Sequence, residues 1–417
     1  MKNLFLSVFA LTVIIFIFSC KRDPDRLNPG TTPDTTTIGI VTPIGTIQGE
    51  MVTVSIGTQG GTITSGDGRL QVVIPAGALS KNESISVQPV SNECPAGTGL
   101  AYRLLPHGLT FAQPATITFH YTEENLSGTT PELLKVAYQT NTQSWNAIEN
   151  HNWSGPTKTV SVQTTHFSDW ALFESMQLIE DNAFLSPGQK TNLTIRMVKL
   201  QPASNPNGIG ILDIEDLTDS KYIKNWTLQG EGTLAHQHVK GTYFAPAQIP
   251  NQNPATIIVF LDFSVTINGE VFRDLRLVSQ IFVAPEGVSI QIGNGSWITY
   301  PGGVNLNSTQ NFIEAKSGDE TVVIGWKGSS SGTYHWTRDL NVNFNYHKGP
   351  FMLYQHLYGM DLSVSGGSLK VDNSKMASIS GTFTLEPAGL LRTDPGHIEI
   401  GTTNIRGVFF LKKTQPR

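Results

Sequence analysis

One triplet in the chain combines residue types that could do chemistry, His166-Phe167-Ser168. A serine hydroxyl becomes a nucleophile when a nearby imidazole can accept its proton. On a β-strand, His166 and Ser168 would point to one face and Phe167 to the other. The alternative is a structural role, in which Phe167 and Trp170 close a hydrophobic core and the polar pair performs no reaction.

Two histidines and one cysteine are weaker candidates for a chemical role. His236 and His238 could place two imidazoles on one face of a strand, but a metal site needs three or four ligands and the sequence marks no third. Cys94 lies in a predicted loop and has no partner for an internal disulfide if Cys20 is modified. The sequence shows no nucleophile elbow, phosphate-binding loop or zinc-binding helix motif. We therefore predict no metal site, no cofactor and no enzymatic activity, apart from any reaction of the triplet.

The N-terminus predicts export and lipid attachment. Lys2 precedes an apolar run over residues 4–18, which is shorter than the roughly 20 residues of a membrane-spanning helix. A basic start, a short apolar core and a small residue at its end are typical of a secretory signal. The run ends at Ser19-Cys20, which resembles the lipobox of bacterial lipoproteins. The resemblance implies cleavage after residue 19 and a diacylglyceryl group on Cys20; a plain signal peptide or an uncleaved anchor is the alternative.

The charge balance argues against one class of partner. The formal net charge is −5, and removal of residues 1–19 would take away Lys2 and change it to −6. A mildly acidic chain is a poor match for nucleic acid. Position 21 is Lys and not the aspartate that retains some lipoproteins at the inner membrane. This favours location of the chain at the outer membrane.

The rest of the chain predicts an all-β fold, in which short alternating apolar segments are separated by turn residues. We expect three β-sandwich-like domains in series, after a lipobox signal peptide (1–19) and a lipidated cysteine with a flexible tether (20–47). The domains are predicted at 48–176, 177–285 and 286–417. The candidate strands are 51–56, 70–74, 84–90, 115–121 and 159–164, then 193–198, 255–265 and 275–283, and finally 322–326, 341–346, 379–385 and 405–411.

A series of motifs in the first domain resembles the ZU-five domain of ankyrins, netrin receptors and many bacterial surface proteins. The motifs are the runs 60–64, 68–79, 102–114 and 166–170, in that order, and the resemblance covers about residues 55–174. The family fold is a β-sandwich, which agrees with the pattern of alternation. His107, between Pro106 and Gly108, is expected to cap a turn rather than to bind a ligand.

The resemblance also implies a reaction, because some eukaryotic relatives cut their own chain between Phe and Ser of such a triplet. Here the Ser168 hydroxyl would attack the carbonyl carbon of Phe167 while His166 accepts the proton, and water would open the resulting ester. A peptide bond resists this attack unless the fold strains it. Many domains of the family carry a similar triplet with no known cleavage, so both outcomes stay open.

The two later domains suggest binding more than catalysis. Trp226 before Gly230-Glu231-Gly232-Thr233, followed by Tyr243-Phe244-Ala245-Pro246, resembles bacterial immunoglobulin-like domains, in which Trp226 would be the buried core aromatic. The third domain belongs to no family that its motifs identify. It concentrates aromatic residues that most simply form a sandwich core with ordinary turn aromatics, and that could alternatively stack on sugar rings. They are Trp326, Tyr334, Trp336, Phe344, Tyr346, Phe351, Tyr354 and Tyr358, with Asp339 and His356 nearby.

These patterns predict a lipid-anchored cell-envelope protein with a structural, adhesive or binding role and no enzymatic activity. Its partners would be the membrane, through lipid on Cys20, and an envelope protein or a glycan. One alternative is a protein that cleaves its own Phe167–Ser168 bond. A second alternative is a glycan-binding accessory protein that acts through its last domain.

Overall fold

Strands make up most of the chain, because apolar and polar residues alternate over short stretches between turns. The computed structural model describes residues 39–201, 209–267, 269–307, 309–373 and 377–413. The predicted all-β class is confirmed, with 60% of the residues in strands and 2% in helices. The helical residues form short 3-10 turns at Glu123–Leu126, Pro131–Leu133 and Ser220–Tyr222. In the described ranges, no helix is long and apolar enough to cross a membrane.

The first unit is a β-sandwich whose two sheets share one core. Its strands are β1 (Val52–Ile56), β2 (Gly61–Thr64), β3 (Leu70–Ile74), β4 (Glu83–Val90), β5 (Gly97–Leu105), β6 (Thr110–His120), β7 (Leu134–Gln139), β8 (Trp145–Ala147), β9 (His151–Ser154), β10 (Thr159–His166) and β11 (Asp169–Glu174). One sheet has the order β1-β4-β5-β11-β7-β8 and the other β2-β3-β6-β10-β9. Alternate residues of both sheets, such as Val72 of β3 and Val87 of β4, fill the core between them.

The second unit is also built from two sheets around one core. Its strands are β12 (Met176–Glu180), β13 (Phe184–Leu185), β14 (Lys190–Leu200), β15 (Ile209–Asp216), β16 (Ile223–Gln229), β17 (Thr233–Gln237), β18 (Lys240–Phe244), β19 (Ala255–Leu261), β20 (Val265–Ile267), β21 (Glu270–Phe272) and β22 (Arg276–Val283). The two main sheets are β15-β14-β18-β17, with β12 also paired to β14, and β13-β22-β19-β16, and β20 and β21 form a separate two-stranded sheet. Trp226 and Tyr243 are the large aromatic side chains of this core.

The third unit differs because one long sheet supplies most of it. Its strands are β23 (Gly287–Ile292), β24 (Ile298–Tyr300), β25 (Gly302–Asn305), β26 (Asn311–Ser317), β27 (Glu320–Trp326), β28 (Gly332–Tyr334), β29 (Val342–His347), β30 (Met352–Gln355), β31 (Leu357–Tyr358), β32 (Ser363–Val364), β33 (Leu369–Asp372), β34 (Ser378–Arg392) and β35 (Glu399–Lys412). The sheet has the order β24-β23-β35-β34-β30-β29-β27-β26-β25. Tyr300 of β24 and Ile313 of β26, from opposite ends of that order, belong to the same core, so the sheet folds over on itself.

The predicted strands can be compared directly with the observed ones. All candidate strands overlap an observed strand, and segment 70–74 coincides with β3. Segment 255–265 is divided between β19 and β20. Leu133 of the first segment also packs in the second core, so the chain is not divided cleanly at residue 176. The domain boundaries themselves stay predictions.

Backbone pairing joins the first unit to the second. β8 pairs with β15 through Ala147 with Ile209 and Asn146 with Gly210, so the sheet of the first unit continues into the second. A buried apolar cluster, called here the first-junction cluster, draws on both units. Its buried members are Val90, Cys94, Ala101, Ala137, Trp145, Ala147, Ala171, Phe173, Val198 and Ile211.

Side chains form the apolar contact between the second and third units. Phe184 of β13 and Phe410 of β35 stack with their ring centroids 4.5 Å apart and their planes at 13°. These two rings pack, together with Trp297, on a smaller second-junction cluster. Its buried members are Ile249, Phe282, Ala284 and Val408.

Residues 39–47, which belong to the predicted tether, are fastened to the folded units. The Ile40 amide donates to the Ile211 carbonyl at 2.9 Å, and the Thr42 amide donates to the Gln143 carbonyl at 3.1 Å. The Trp145 indole N–H donates to the Thr42 hydroxyl at 2.7 Å. The structure therefore ties down the end of a segment that the sequence predicts to be flexible. The predicted signal peptide, Cys20 and residues 20–38 lie outside the described residues.

Candidate functional site

The His-Phe-Ser triplet lies where the chain passes from one sheet of the first unit to the other. β10 ends at His166 and β11 begins at Asp169, so Phe167 and Ser168 form the link between them. The pairing of β10 with β6 shifts register between Thr164 and His166. The triplet is thus not one continuous strand, and strict alternation of its side chains does not apply.

Phe167 is a core residue. Its side chain is 2% exposed and packs edge-on against Phe111, with ring centroids 4.9 Å apart. Its amide donates to the Leu109 carbonyl at 3.1 Å, and its carbonyl oxygen accepts from the Gly108 amide at 3.4 Å. The peptide group on both sides of Phe167 is therefore fixed to the loop before β6. Trp170 is also buried in this core, as the structural alternative predicts.

Ser168 directs its hydroxyl away from His166. The buried Oγ donates a short hydrogen bond to the carbonyl oxygen of Gln139. The Ser168 carbonyl accepts from the Leu104 amide at 3.0 Å. Since a hydroxyl has a single hydrogen to donate, Ser168 cannot give its proton to His166 in this arrangement.

His166 packs as an aromatic side chain. Its ring lies against Tyr138 at 4.6 Å and Trp170 at 5.7 Å, measured between centroids. Its Nδ1 is 3.3 Å from the Thr164 hydroxyl, which donates to the His166 carbonyl at 2.9 Å. Burial lowers the pKa of the His166 imidazole, so the ring is neutral near pH 7 and has a lone pair that can accept a proton.

An ion pair next to the triplet escaped the sequence analysis. Arg103 and Asp169 are direct partners across β5 and β11. The Arg103 guanidinium donates to the buried Asp169 carboxylate from Nη2 at 2.7 Å and from Nε at 3.0 Å. The His107 Nε2 lies 3.0 Å from Asp169 Oδ1, so His107 contacts a carboxylate in addition to any role in its turn. The sequence signal that could have indicated this ion pair is the opposite charge of Arg103 and Asp169, which lie in the motif runs 102–114 and 166–170.

The ion pair of Arg103 and Asp169 also contacts the start of the described chain. Arg103 Nη2 also donates to the Gly45 carbonyl at 3.0 Å. Burial acts to raise the pKa of the Asp169 carboxyl, but the hydrogen bonds and charges of His107 and Arg103 outweigh it and hold that pKa below its usual value. Asp169 is therefore ionised at neutral pH and stabilises the fold as a charge-assisted acceptor.

The remaining candidates for nucleophilic and metal chemistry make packing or backbone contacts. Cys94 is buried in the first-junction cluster, and burial raises the pKa of its thiol well above the usual value. His236 stacks on Trp226, with centroids 5.8 Å apart. His238 lies in the turn between β17 and β18 with φ at 55°, and its carbonyl accepts from the Trp226 indole at 2.9 Å. Within the described residues, no three His, Cys, Asp or Glu side chains group as metal ligands.

Most of the aromatic residues of the third unit face inward. Trp326, Trp336, Phe344, Tyr346 and Tyr354 are buried in one core, and Phe351 is exposed. His356 is buried as well, where its Nδ1 accepts from the Phe344 amide at 3.2 Å and its Nε2 lies 3.2 Å from the Thr337 carbonyl. A buried aromatic set counts against a sugar-stacking platform.

Two tyrosines of the third unit share a carboxylate to which no sequence motif connects them. The Tyr300 and Tyr346 hydroxyl oxygens are 2.7 Å apart, and both contact the Glu320 carboxylate. Burial, followed by the hydrogen bond to Glu320, raises the pKa of Tyr300 to about 12. Both hydroxyls therefore stay protonated and fasten β24, β27 and β29 together, which is a structural arrangement.

Comparison with known proteins adds no relative. No model of a protein family matches the sequence, and no curated protein matches it. The ZU-five and immunoglobulin-like resemblances therefore rest on the motifs quoted above.

Proposed function

We propose that the chain is a lipid-anchored, non-enzymatic protein of the cell envelope, held on the outer membrane through Cys20. Its first unit would be a domain of the ZU-five type, and its second an immunoglobulin-like domain. The pair of junctions between the units carries the proposal. A continuous sheet and a partly buried aromatic contact make a connected body out of three β units, which suits a structural or adhesive role.

The contacts around the triplet support the non-enzymatic part of the proposal. The hydroxyl of Ser168 is committed to the Gln139 carbonyl, and Phe167 is a core anchor. The thiol of Cys94 is buried and protonated. The most conspicuous candidates for chemistry in the described chain are therefore engaged in packing.

Replacement of Cys20 tests the anchor. In cells that process lipoproteins, we expect the wild-type chain to lie in the membrane fraction and to incorporate labelled palmitate, and Cys20→Ser to incorporate none. Cys94→Ala, which removes the other cysteine, is the matched control and should stay in the membrane fraction. A Cys20→Ser chain that still incorporates palmitate, or a wild-type chain that is soluble, would contradict the proposal.

Self-cleavage between Phe167 and Ser168 is the second candidate, and one observation favours it. The Gly108 amide points at the Phe167 carbonyl oxygen, where negative charge would develop during attack. The Ser168 hydroxyl would add to the Phe167 carbonyl carbon, with its proton passing to the neutral His166. The carbon–nitrogen bond would break as the Ser168 amine takes up that proton, and water would then hydrolyse the ester to a carboxylate and a free hydroxyl.

Incubation of the purified chain distinguishes the two candidates. Our proposal predicts a single full-length band on a denaturing gel after days at neutral pH, the same for wild type and for Ser168→Ala. A pair of fragments that is lost in Ser168→Ala, with Ser175→Ala as an unaffected serine control, would establish the second candidate instead.

A further inference from the structure

Exposed apolar side chains are concentrated at the start of the described chain. Five of them lie between residues 41 and 54, whereas the other exposed large apolar residues are scattered over the rest of the described chain. We call the five the N-terminal ridge. Its members are Val41, Ile44, Ile47, Met51 and Val54. Single exposed apolar residues are ordinary, but five of them within fourteen consecutive residues indicate a contact surface.

Three members of the ridge recur at a regular spacing and are exposed to solvent. Val41, Ile44 and Ile47 occur at every third residue and are 54%, 53% and 68% exposed. Two of the residues between them contact the first unit, since Thr42 accepts from the Trp145 indole and the Gly45 carbonyl accepts from Arg103. The segment therefore presents its apolar side chains outward by a specific set of inward contacts.

Many backbone polar groups of the segment are already satisfied from the inner side. The amides of Ile40, Thr42 and Gln48 donate to carbonyl groups, and the Thr46 amide donates to the Ser91 hydroxyl. The Gln139 side chain donates to the carbonyls at positions 42 and 43. An apolar surface whose backbone groups are bonded elsewhere can enter an apolar environment at a smaller desolvation cost.

The position of the ridge in the chain identifies its occupant. Residues 20–38 separate Cys20 from Gly39, and a chain of that length spans at most about 65 Å even when fully extended. If lipid holds Cys20 in a bilayer, the ridge is the exposed apolar part of the described structure that lies nearest to the lipid along the chain. We propose that the N-terminal ridge is a second membrane contact, which lies on the bilayer that carries the lipid of Cys20.

The charge of the segment defines the kind of contact. Glu50 is the single charged residue between positions 41 and 54. A ridge of this composition has no basic side chains to attract anionic headgroups, so apolar insertion at the interface must provide the binding. The contact should therefore form on zwitterionic vesicles and be insensitive to salt. The inference rests on the proposed lipid anchor for the closeness of the membrane.

A fluorescent reporter at the ridge tests the inference. Ile44→Cys, labelled with an environment-sensitive dye, is placed in the full lipidated chain on phosphatidylcholine vesicles with brominated acyl chains. Cys94 is buried and Cys20 carries lipid, so the dye reacts at the new site. The matched control is Ile398→Cys, an exposed apolar residue of the third unit that is 73% exposed.

We expect bromine to quench the dye at position 44 by about twofold or more, and to leave the dye at position 398 nearly unchanged. Raising the salt concentration should not alter either result. Quenching at position 44 that is no greater than at position 398 would overturn the inference. So would a concentration-dependent blue shift of the position-44 dye without vesicles, because it would assign the ridge to contact between two copies of the chain.

A second form of the experiment separates this inference from the anchor. The mass of the N-terminal peptide reports whether Cys20 carries lipid, and an unmodified Cys20 would remove the proposed function. In that case the chain from Lys21, with a hexahistidine tag in place of Cys20 and bound to nickel-chelating lipids, brings the ridge to the same bilayer. Quenching at position 44 in that form supports the ridge as a membrane-contact surface, and equal signals at positions 44 and 398 overturn it.

Discussion

The two junctions of the molecule hold neighbouring units by different means. At the first junction, β8 and β15 pair by backbone hydrogen bonds, and the cores of the two units share a buried cluster centred on Trp145. At the second junction, the stacked rings of Phe184 and Phe410 lie over a smaller cluster. Both junctions exclude water from apolar surface. Backbone pairing between strands adds to the contact at the first junction.

The difference predicts an order of disassembly. Backbone pairing fixes strand register as well as position, and the buried cluster behind it removes more apolar surface from water. A contact between side chains alone resembles the interfaces across which domains of one chain often move. We therefore expect the second junction to open before the first, and the substitutions below test that order.

Trp145→Ala should have the largest effect. The side chain is fully buried at the first junction, and its loss leaves a cavity and removes the hydrogen bond to Thr42. We expect a loss of about 3–5 kcal/mol in the free energy of unfolding, measured by urea denaturation. Trp297→Ala, at the partly buried second junction, is the control and should cost clearly less. Equal losses would contradict the proposed order.

Asp169→Asn should be next, and its effect should depend on pH. It leaves the Arg103 guanidinium without its ionised partner, which we expect to cost about 3 kcal/mol at neutral pH. The pKa of Asp169 is lowered in the folded state, so the stabilisation is complete above the unfolded value of about 4 and is lost as the pH falls through the folded value.

Urea midpoints of wild type and Asp169→Asn at pH 7, 5, 4 and 3 check this dependence. The difference between the two proteins should be constant down to about pH 4 and shrink below it. A difference that persists unchanged at pH 3 would show that the charge of Asp169 is not what stabilises this site.

Phe184→Ala should loosen the second junction. The ring is partly buried, so we expect a smaller loss of about 2 kcal/mol, together with faster proteolysis between the second and third units. Phe351→Ala, an exposed phenylalanine of the third unit, should change neither quantity. If cleavage appears first between the first and second units, the comparison of the junctions is wrong.

Ser168→Ala should have the smallest effect. It removes the hydroxyl that donates to the Gln139 carbonyl, which costs about 1 kcal/mol when the acceptor stays buried. The urea midpoint measures the loss. His166→Ala leaves the hydrogen bond between Ser168 and Gln139 in place, so it should not cause this loss. A stabilising effect of Ser168→Ala would indicate that the native position of the hydroxyl is strained.

Sequence patterns predicted the strands well because alternation is a local property. The segment 70–74 has buried residues at alternate positions, and it is β3. Buried Phe167 and Trp170 agree with the structural alternative for the triplet, and buried Trp226 agrees with what the immunoglobulin-like resemblance implies, since large aromatic residues usually enter the core. Burial of Trp326 and Phe344 was one of two open alternatives for the third unit.

Contacts that depend on the pairing of distant strands were not predictable from one sequence. Asp169 meets Arg103 because β11 pairs with β5, and Glu320 meets Tyr300 because one sheet folds over on itself. No local sequence motif predicts either of these strand arrangements. The pairing of β8 with β15 was missed because β8 is three residues long and backbone hydrogen bonds carry no residue-specific signal.

The intact mass of the full chain, purified from membranes, tests the central claim most directly. The account predicts one species that begins at Cys20, carries lipid on that residue and includes the Phe167–Ser168 bond uncut. A chain without lipid at Cys20, or two fragments that meet at Phe167 and Ser168, would contradict it.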